Sequence, residues 1–145
     1  MKRGLSGRPT INEVQDEIIS EISALDSGMA RYGYLTNLGR EHLPDEGLRC
    51  EENLVAGCQA NAWVLTSLND ERLDLDADSD SMLIRGLLVL VLRVLDGRSP
   101  AEAASADLYF LKQNDLLGSL SPTRSNGLVS ILHRIEQFAI EADRK

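Results

Sequence analysis

Apolar side chains recur at Val14, Ile18, Ile22 and Leu25, with Glu13, Asp16, Glu17 and Glu21 around the rest of the wheel. That spacing predicts an amphipathic helix. Thr10 and Glu13 form a capping pattern behind Pro9, and Asp26-Ser27-Gly28 closes the helix. A short second helix is expected from about Met29 to Leu38, with Gly39 as its terminating C′ residue. The period then changes. From Ala60 to Leu68 the chain alternates, with Trp63 and Leu65 on one face and Ala62, Val64 and Leu68 on the other. Asn69-Asp70-Glu71 predicts a turn, after which Leu73, Leu75 and Ala77 alternate with Arg72, Asp74, Asp76 and Asp78. The pair reads as an antiparallel hairpin with one solvated acidic face.

The run Gly86-Leu87-Leu88-Val89-Leu90-Val91-Leu92 has strand-like composition, but its setting favours a helix capped by Ser79 or Asp80 and running to about Asp96 before Gly97. Arg85, Arg93 and Asp96 then share one side of the wheel, a narrow polar stripe on an otherwise buried helix. Pro100 opens a short helix through Ala106, and residues from Asp107 to Leu117 form another. Ser121-Pro122 opens the last helix, whose Leu128, Ile131, Leu132, Ile135 and Phe138 make an apolar face. Helices, then a hairpin, then helices indicate an α+β domain. Residues 1–9 are expected to form a flexible N-terminal tail and 10–145 a single domain.

The segment from Gly39 to Gly57 predicts no regular element, and loops beyond about 12–15 residues tend to be functional or disordered. This one leads into Gly57-Cys58-Gln59, a thiol behind a glycine at the entrance to a strand. Such a thiol is reactive if presented and inert if packed. The surroundings narrow its chemistry. The net charge of −8 argues against nucleic acid or an anionic membrane surface as partner. The longest apolar run falls short of the roughly 18 residues that suggest a membrane span. The basic N-terminus has no apolar region behind it, so a cytoplasmic protein with reduced thiols is expected. His42 and His133 are the available bases for a nucleophilic cysteine, and neither lies in a hydrolase motif. Cys50, Cys58 and His42 are a thin ligand set with no familiar metal-binding spacing. The aspartates of the hairpin lack the glycine and distal glutamate of a calcium loop, and suit solubility and edge protection better. Sulfur exchange remains, because it needs one accessible thiolate and no internal base.

Asn53-x-Val55-x-Gly57-Cys58-Gln59 followed by Trp63-Val64 resembles the active-site segment of the SufE family of sulfur acceptors. Three further blocks resemble the family in order: Arg31-Tyr32-x-Tyr34-Leu35-x-x-Leu38-Gly39, Asp78-Ser79-Asp80 leading to Ile84-Arg85-Gly86-Leu87, and Ser121-Pro122-Thr123-Arg124-Ser125-Asn126-Gly127-Leu128. The resemblance implies a SufE/IscU-like α+β fold with about three antiparallel strands and helices packed against them. It makes Cys58 the persulfide acceptor and implies a pyridoxal-phosphate cysteine desulfurase (SufS- or CsdA-like) as partner. The protein would then be an accessory carrier and activator rather than an enzyme, with no cofactor of its own, passing sulfur to an iron–sulfur scaffold. Asp80 and Arg124 would lie near the cysteine loop. Arg124 either favours the thiolate or is a structural arginine at a helix start. Gln59 would shape the loop, and Gly57 would supply backbone freedom or close approach. Cys50 departs from the family pattern. An alternative in the same fold is a metal or iron–sulfur scaffold using Cys50, Cys58 and His42.

Overall fold

The computed structural model describes residues 8–55, 61–113 and 122–144, with backbone alone over 122–126. Its first helix, α1 (Ile11–Ser23), starts at a complete capping box: Glu13 N donates to Thr10 Oγ1 at 3.1 Å and Thr10 N to Glu13 Oε1 at 2.9 Å. Ile11, Val14, Ile18 and Ile22 are buried along the predicted face, and Leu25 is half-buried. Gln15, also fully buried, donates to Asp107 O and accepts from Phe110 N.

Helix α2 (Gly28–Glu41) is capped by Ser27 and runs past the expected stop. Gly39 is inside it rather than at its C′ position. A Cβ there would strike the Met82 carbonyl of α3 (Met82–Leu95), and one at Gly86 would strike the Leu35 carbonyl of α2. The two glycines face a close helix crossing, so their role is backbone approach rather than termination.

A three-stranded antiparallel sheet follows, in the order β1 (Leu54–Val55), β2 (Ala62–Asn69), β3 (Arg72–Ser79). The β2–β3 register runs from Ala62 opposite Ser79 to Asn69 opposite Arg72. It places Ala62, Val64, Leu73, Leu75 and Ala77 toward the core, as the alternation predicts. The turn residues Asp70 and Glu71 both have positive φ (53° and 63°), the twist that a two-residue hairpin requires. The predicted loop contains a 3-10 helix (Glu51–Asn53) and β1, elements too short to show a period.

Helix α3 buries Leu83, Ile84, Leu87, Leu88, Leu90, Val91, Val94 and Leu95. It touches β3, α1, α2 and α6 (Pro122–Asp143) and so forms the centre of the core. Its cap is Ser81, because the Ser79 hydroxyl already donates to Asn61 O and accepts from Ser81 N. Gly97, with φ 79°, follows the helix as expected. Arg93, on the polar stripe, reaches Glu17 and Glu21 of α1. Helix α4 (Pro100–Ala104) ends at Ser105, earlier than expected. Helix α5 (Phe110–Gln113) starts later than expected, where Gln15 takes up its first N–H. The remainder of its predicted span, 114–117, lies outside the described residues. Helix α6 buries Leu128, Ile131, Ile135 and Ala139, with Leu132 and Phe138 at the margin. The architecture is α+β, with helices packed against a small antiparallel sheet.

Candidate functional site

Val55 pairs with Ala62, so residues 56–61 connect β1 to β2, and Cys58 lies within that connection. Gly57, Cys58 and Gln59 fall outside the described residues, as does the side chain of Arg124, whose backbone belongs to the first turns of α6. The described part of the site is the stem that carries this connection.

On the outgoing side, Asn61 O accepts from Asp80 N at 3.0 Å and from Ser79 Oγ at 3.0 Å. On the incoming side, the chain from His42 to Cys50 crosses the outer face of the sheet. Arg49 lies with its guanidinium carbon 4.4 Å from the centre of the Trp63 ring. Its Nε donates to Asp78 Oδ2 at 2.7 Å and its Nη1 to Asp80 Oδ1 at 2.9 Å. From beneath, Arg85 places Nε 3.1 Å from Asp78 Oδ1, within ion-pair range though without hydrogen-bond geometry, and donates from Nη2 to His42 O at 2.6 Å. Two carboxylates and two guanidiniums therefore balance. The hydrogen bond to Asp78 raises the Arg49 pKa further, against an opposing effect of burial, so Arg49 stays charged.

This arrangement corrects the expectation of a uniformly solvated acidic face. Asp78 is only 2% exposed. The strand pattern treats Asp74, Asp76 and Asp78 alike, and burial comes from the crossing segment that brings Arg49 over one of them. The carboxylates also protect the sheet edge. Three outer N–H groups of β3 are satisfied by Asp96 Oδ1 on Leu75 N, Asp76 Oδ1 on Ala77 N and Asp78 Oδ1 on Ser79 N, each at 2.8 Å, and a fourth, Leu73 N, donates to Arg98 O.

His42 Nε2 lies 2.9 Å from Ala77 O and 3.4 Å from Asp76 Oδ1. A carbonyl only accepts, so Nε2 carries the proton, and this nitrogen is engaged with the sheet. Cys50 is a half-buried free thiol at the start of the 3-10 helix, where its carbonyl accepts from Asn53 N. Among the described residues no group of three or more His, Cys, Asp and Glu is arranged to hold a metal ion. Nor is any helix among them long and apolar enough to cross a membrane.

Sequence reasoning named Asp80, which the structure places at the stem, and did not name Arg49, Asp78, Arg85 or Arg134 as parts of it. Arg134, on α6, donates to Glu52 O at 2.8 Å and Leu54 O at 3.2 Å. Asp78 and Arg85 sit in segments that resemble the family, which was the available signal. Arg49 and Arg134 join the site through contacts across the fold and carry no local pattern.

Comparison with known proteins identifies the family. The family model described as SufE, Fe-S metabolism associated domain, matches residues 16–139. An uncharacterized SufE-like protein of Rhizobium etli is 34% identical over 131 residues, spanning 86% of this chain and 88% of the relative. A SufE-like protein of Arabidopsis thaliana, chloroplastic/mitochondrial, is 33% identical over 131 residues, covering 89% of this chain but 35% of that longer protein. The solution structure of a hypothetical protein from Thermus thermophilus superposes with a TM-score of 0.73 at 18% identity, over 91% of this chain and 97% of that one, and shares the fold. The chain belongs to the SufE family.

Proposed function

We propose that this protein accepts persulfide sulfur on Cys58 from a cysteine desulfurase, stimulates that enzyme, and passes the sulfur on for iron–sulfur cluster assembly. The observation that carries the reading is the family match, which spans the Cys58 connection and the stem that holds it. Membership implies a general role in sulfur transfer, and the local chemistry suits the finer one.

In the proposed step the Cys58 thiolate attacks the outer sulfur of the donor's Cys–S–SH. A sulfur–sulfur bond forms at Cys58 while the donor's breaks. The donor cysteine leaves as a thiolate, and no external oxidant or reductant is consumed. The thiolate is the nucleophile, so the protein itself needs no metal and no general base. Asp80 and Arg124 are proposed to support the loop, Asp80 through its ion pair with Arg49.

The scaffold alternative is less well supported, since Cys50, Cys58 and His42 are a thin ligand set with no familiar metal-binding spacing. The test is desulfurase turnover on free cysteine with and without this protein. Stimulation lost in Cys58→Ser and kept in Cys50→Ser supports the reading. Equal stimulation by Cys58→Ser contradicts it.

A further inference from the structure

We propose that Arg134 is a positioning residue for the sulfur transfer, fixing the incoming half of the stem from which Cys58 is presented. This rests on the acceptor reading of Cys58. The two halves of the stem are held very differently. On the outgoing side, β2 is registered against β3 along eight residue pairs, and Asn61 O is bonded twice. On the incoming side, β1 has two pairs, Leu54 with Trp63 and Val55 with Ala62. So short an edge strand has little stability of its own.

Arg134 supplies what the strand lacks. Its Nη2 donates to Glu52 O at 2.8 Å, and its Nη1 donates to Leu54 O at 3.2 Å and reaches Asn53 O at 3.5 Å. These carbonyls lie at the end of the 3-10 helix and the start of β1, where the backbone has acceptors to spare and a cation is favourable. The planar guanidinium suits several acceptors at once in a way an ammonium does not. The helix carrying it is a firm platform, because Ile131 and Ile135 on either side in sequence are buried in the core. Arg134 is itself exposed, so its removal leaves the core intact. Arg49 holds the same segment from the outer face of the sheet through Asp78 and Trp63. The chain that delivers Cys58 is thus gripped from both sides, and only the Arg134 grip is independent of a buried charge.

The test compares wild type, Arg134→Ala and Arg134→Lys in a Cys50→Ser background. Four quantities are read: thermal midpoint, the alkylation rate of Cys58 in the free protein, and kcat and KM for persulfide transfer from a cysteine desulfurase. Arg134→Ala is expected to alkylate roughly tenfold faster and to transfer with kcat lowered roughly tenfold, since small misplacements of a reacting atom have effects of this size. KM stays within about twofold, because docking is not altered. The thermal midpoint changes little, and Arg134→Lys recovers part of both effects. Unchanged alkylation and unchanged kcat in folded Arg134→Ala overturn the proposal. So does a loss of transfer that merely tracks a fall in the midpoint. Should Arg134→Ala fail to fold, Arg134→Lys answers by the same readouts. Alkylation needs no desulfurase, so the two readings separate. Altered alkylation in a protein that accepts no sulfur overturns the acceptor reading, whereas sulfur acceptance indifferent to Arg134 overturns the positioning role.

Discussion

At the scale of single residues, Asp78 and Asp80 show how position decides what a carboxylate contributes. Both bind Arg49, but Asp78 is buried between two guanidiniums while Asp80 is nearly half exposed. Asp78→Ala leaves the part-buried Arg85 without its counter-charge and is expected to cost about 3 kcal/mol, the low end for a buried pair because Arg49 itself is half exposed. Asp80→Ala is expected to cost less than about 1 kcal/mol, as a surface pair does. Urea unfolding of the two variants measures the difference, and equal losses would refute the assignment of burial. Period-2 reading places Asp78 correctly on β3, and Asp80 falls just beyond the strand as a helix-cap candidate, so neither pattern predicts their different burial. The difference is created by Arg49, which reaches β3 from another part of the chain.

At the scale of elements, what could be read from sequence follows the length of the repeating pattern. The faces of α1 and α6 and the alternation of β2 and β3 are sustained enough to read, and α3 is betrayed by its paired polar stripe. The 3-10 helix and β1 are too short, and Gly39 has an ordinary helix-stop context that the approach of α3 overrides. Gly86→Ala should therefore destabilise despite the better helix propensity of alanine, by about 3 kcal/mol, because its Cβ meets a backbone carbonyl that cannot swing aside. Thermal melts of this variant check the close crossing.

The β2–β3 turn predicts the opposite sign. Asp70 and Glu71 hold positive φ without a glycine, so replacing the pair with Asn-Gly should stabilise the protein by about 1 kcal/mol. A third element-scale prediction concerns the junction of α1, α2 and α3, where Tyr34 donates to Glu21 Oε1 and Arg93 pairs with the same carboxylate. Burial, with the neighbouring Glu21, pushes the Tyr34 pKa up from 10.0 to about 12. Because the folded value is raised, this contribution is fully present below pH 10 and is lost as pH rises toward 12. Glu21 acts at the other end: its hydrogen bond with Arg93 lowers its pKa, so its contribution is present above about pH 4.5 and lost on acidification. Thermal midpoints of wild type should fall more steeply between pH 10 and 12 than those of Tyr34→Phe. Parallel curves would remove Tyr34 from the account.

At the scale of the whole molecule, the fold places a thin, edge-held stem against a dense helical core. Helix α3 fills the centre, carboxylates satisfy most of the outer edge of β3, and the segment entering β1 is tied to β3 by Arg49 and to α6 by Arg134. The direct test is to incubate it with a cysteine desulfurase and free cysteine, omit reductant, and cleave after glutamate. Cutting at Glu51 and Glu52 separates the Cys50 peptide from the Cys58 peptide, whose masses are then read. The account predicts one added sulfur atom on the Cys58 peptide, removable by reductant, and none on the Cys50 peptide. An unmodified Cys58 peptide alongside an active desulfurase would contradict it.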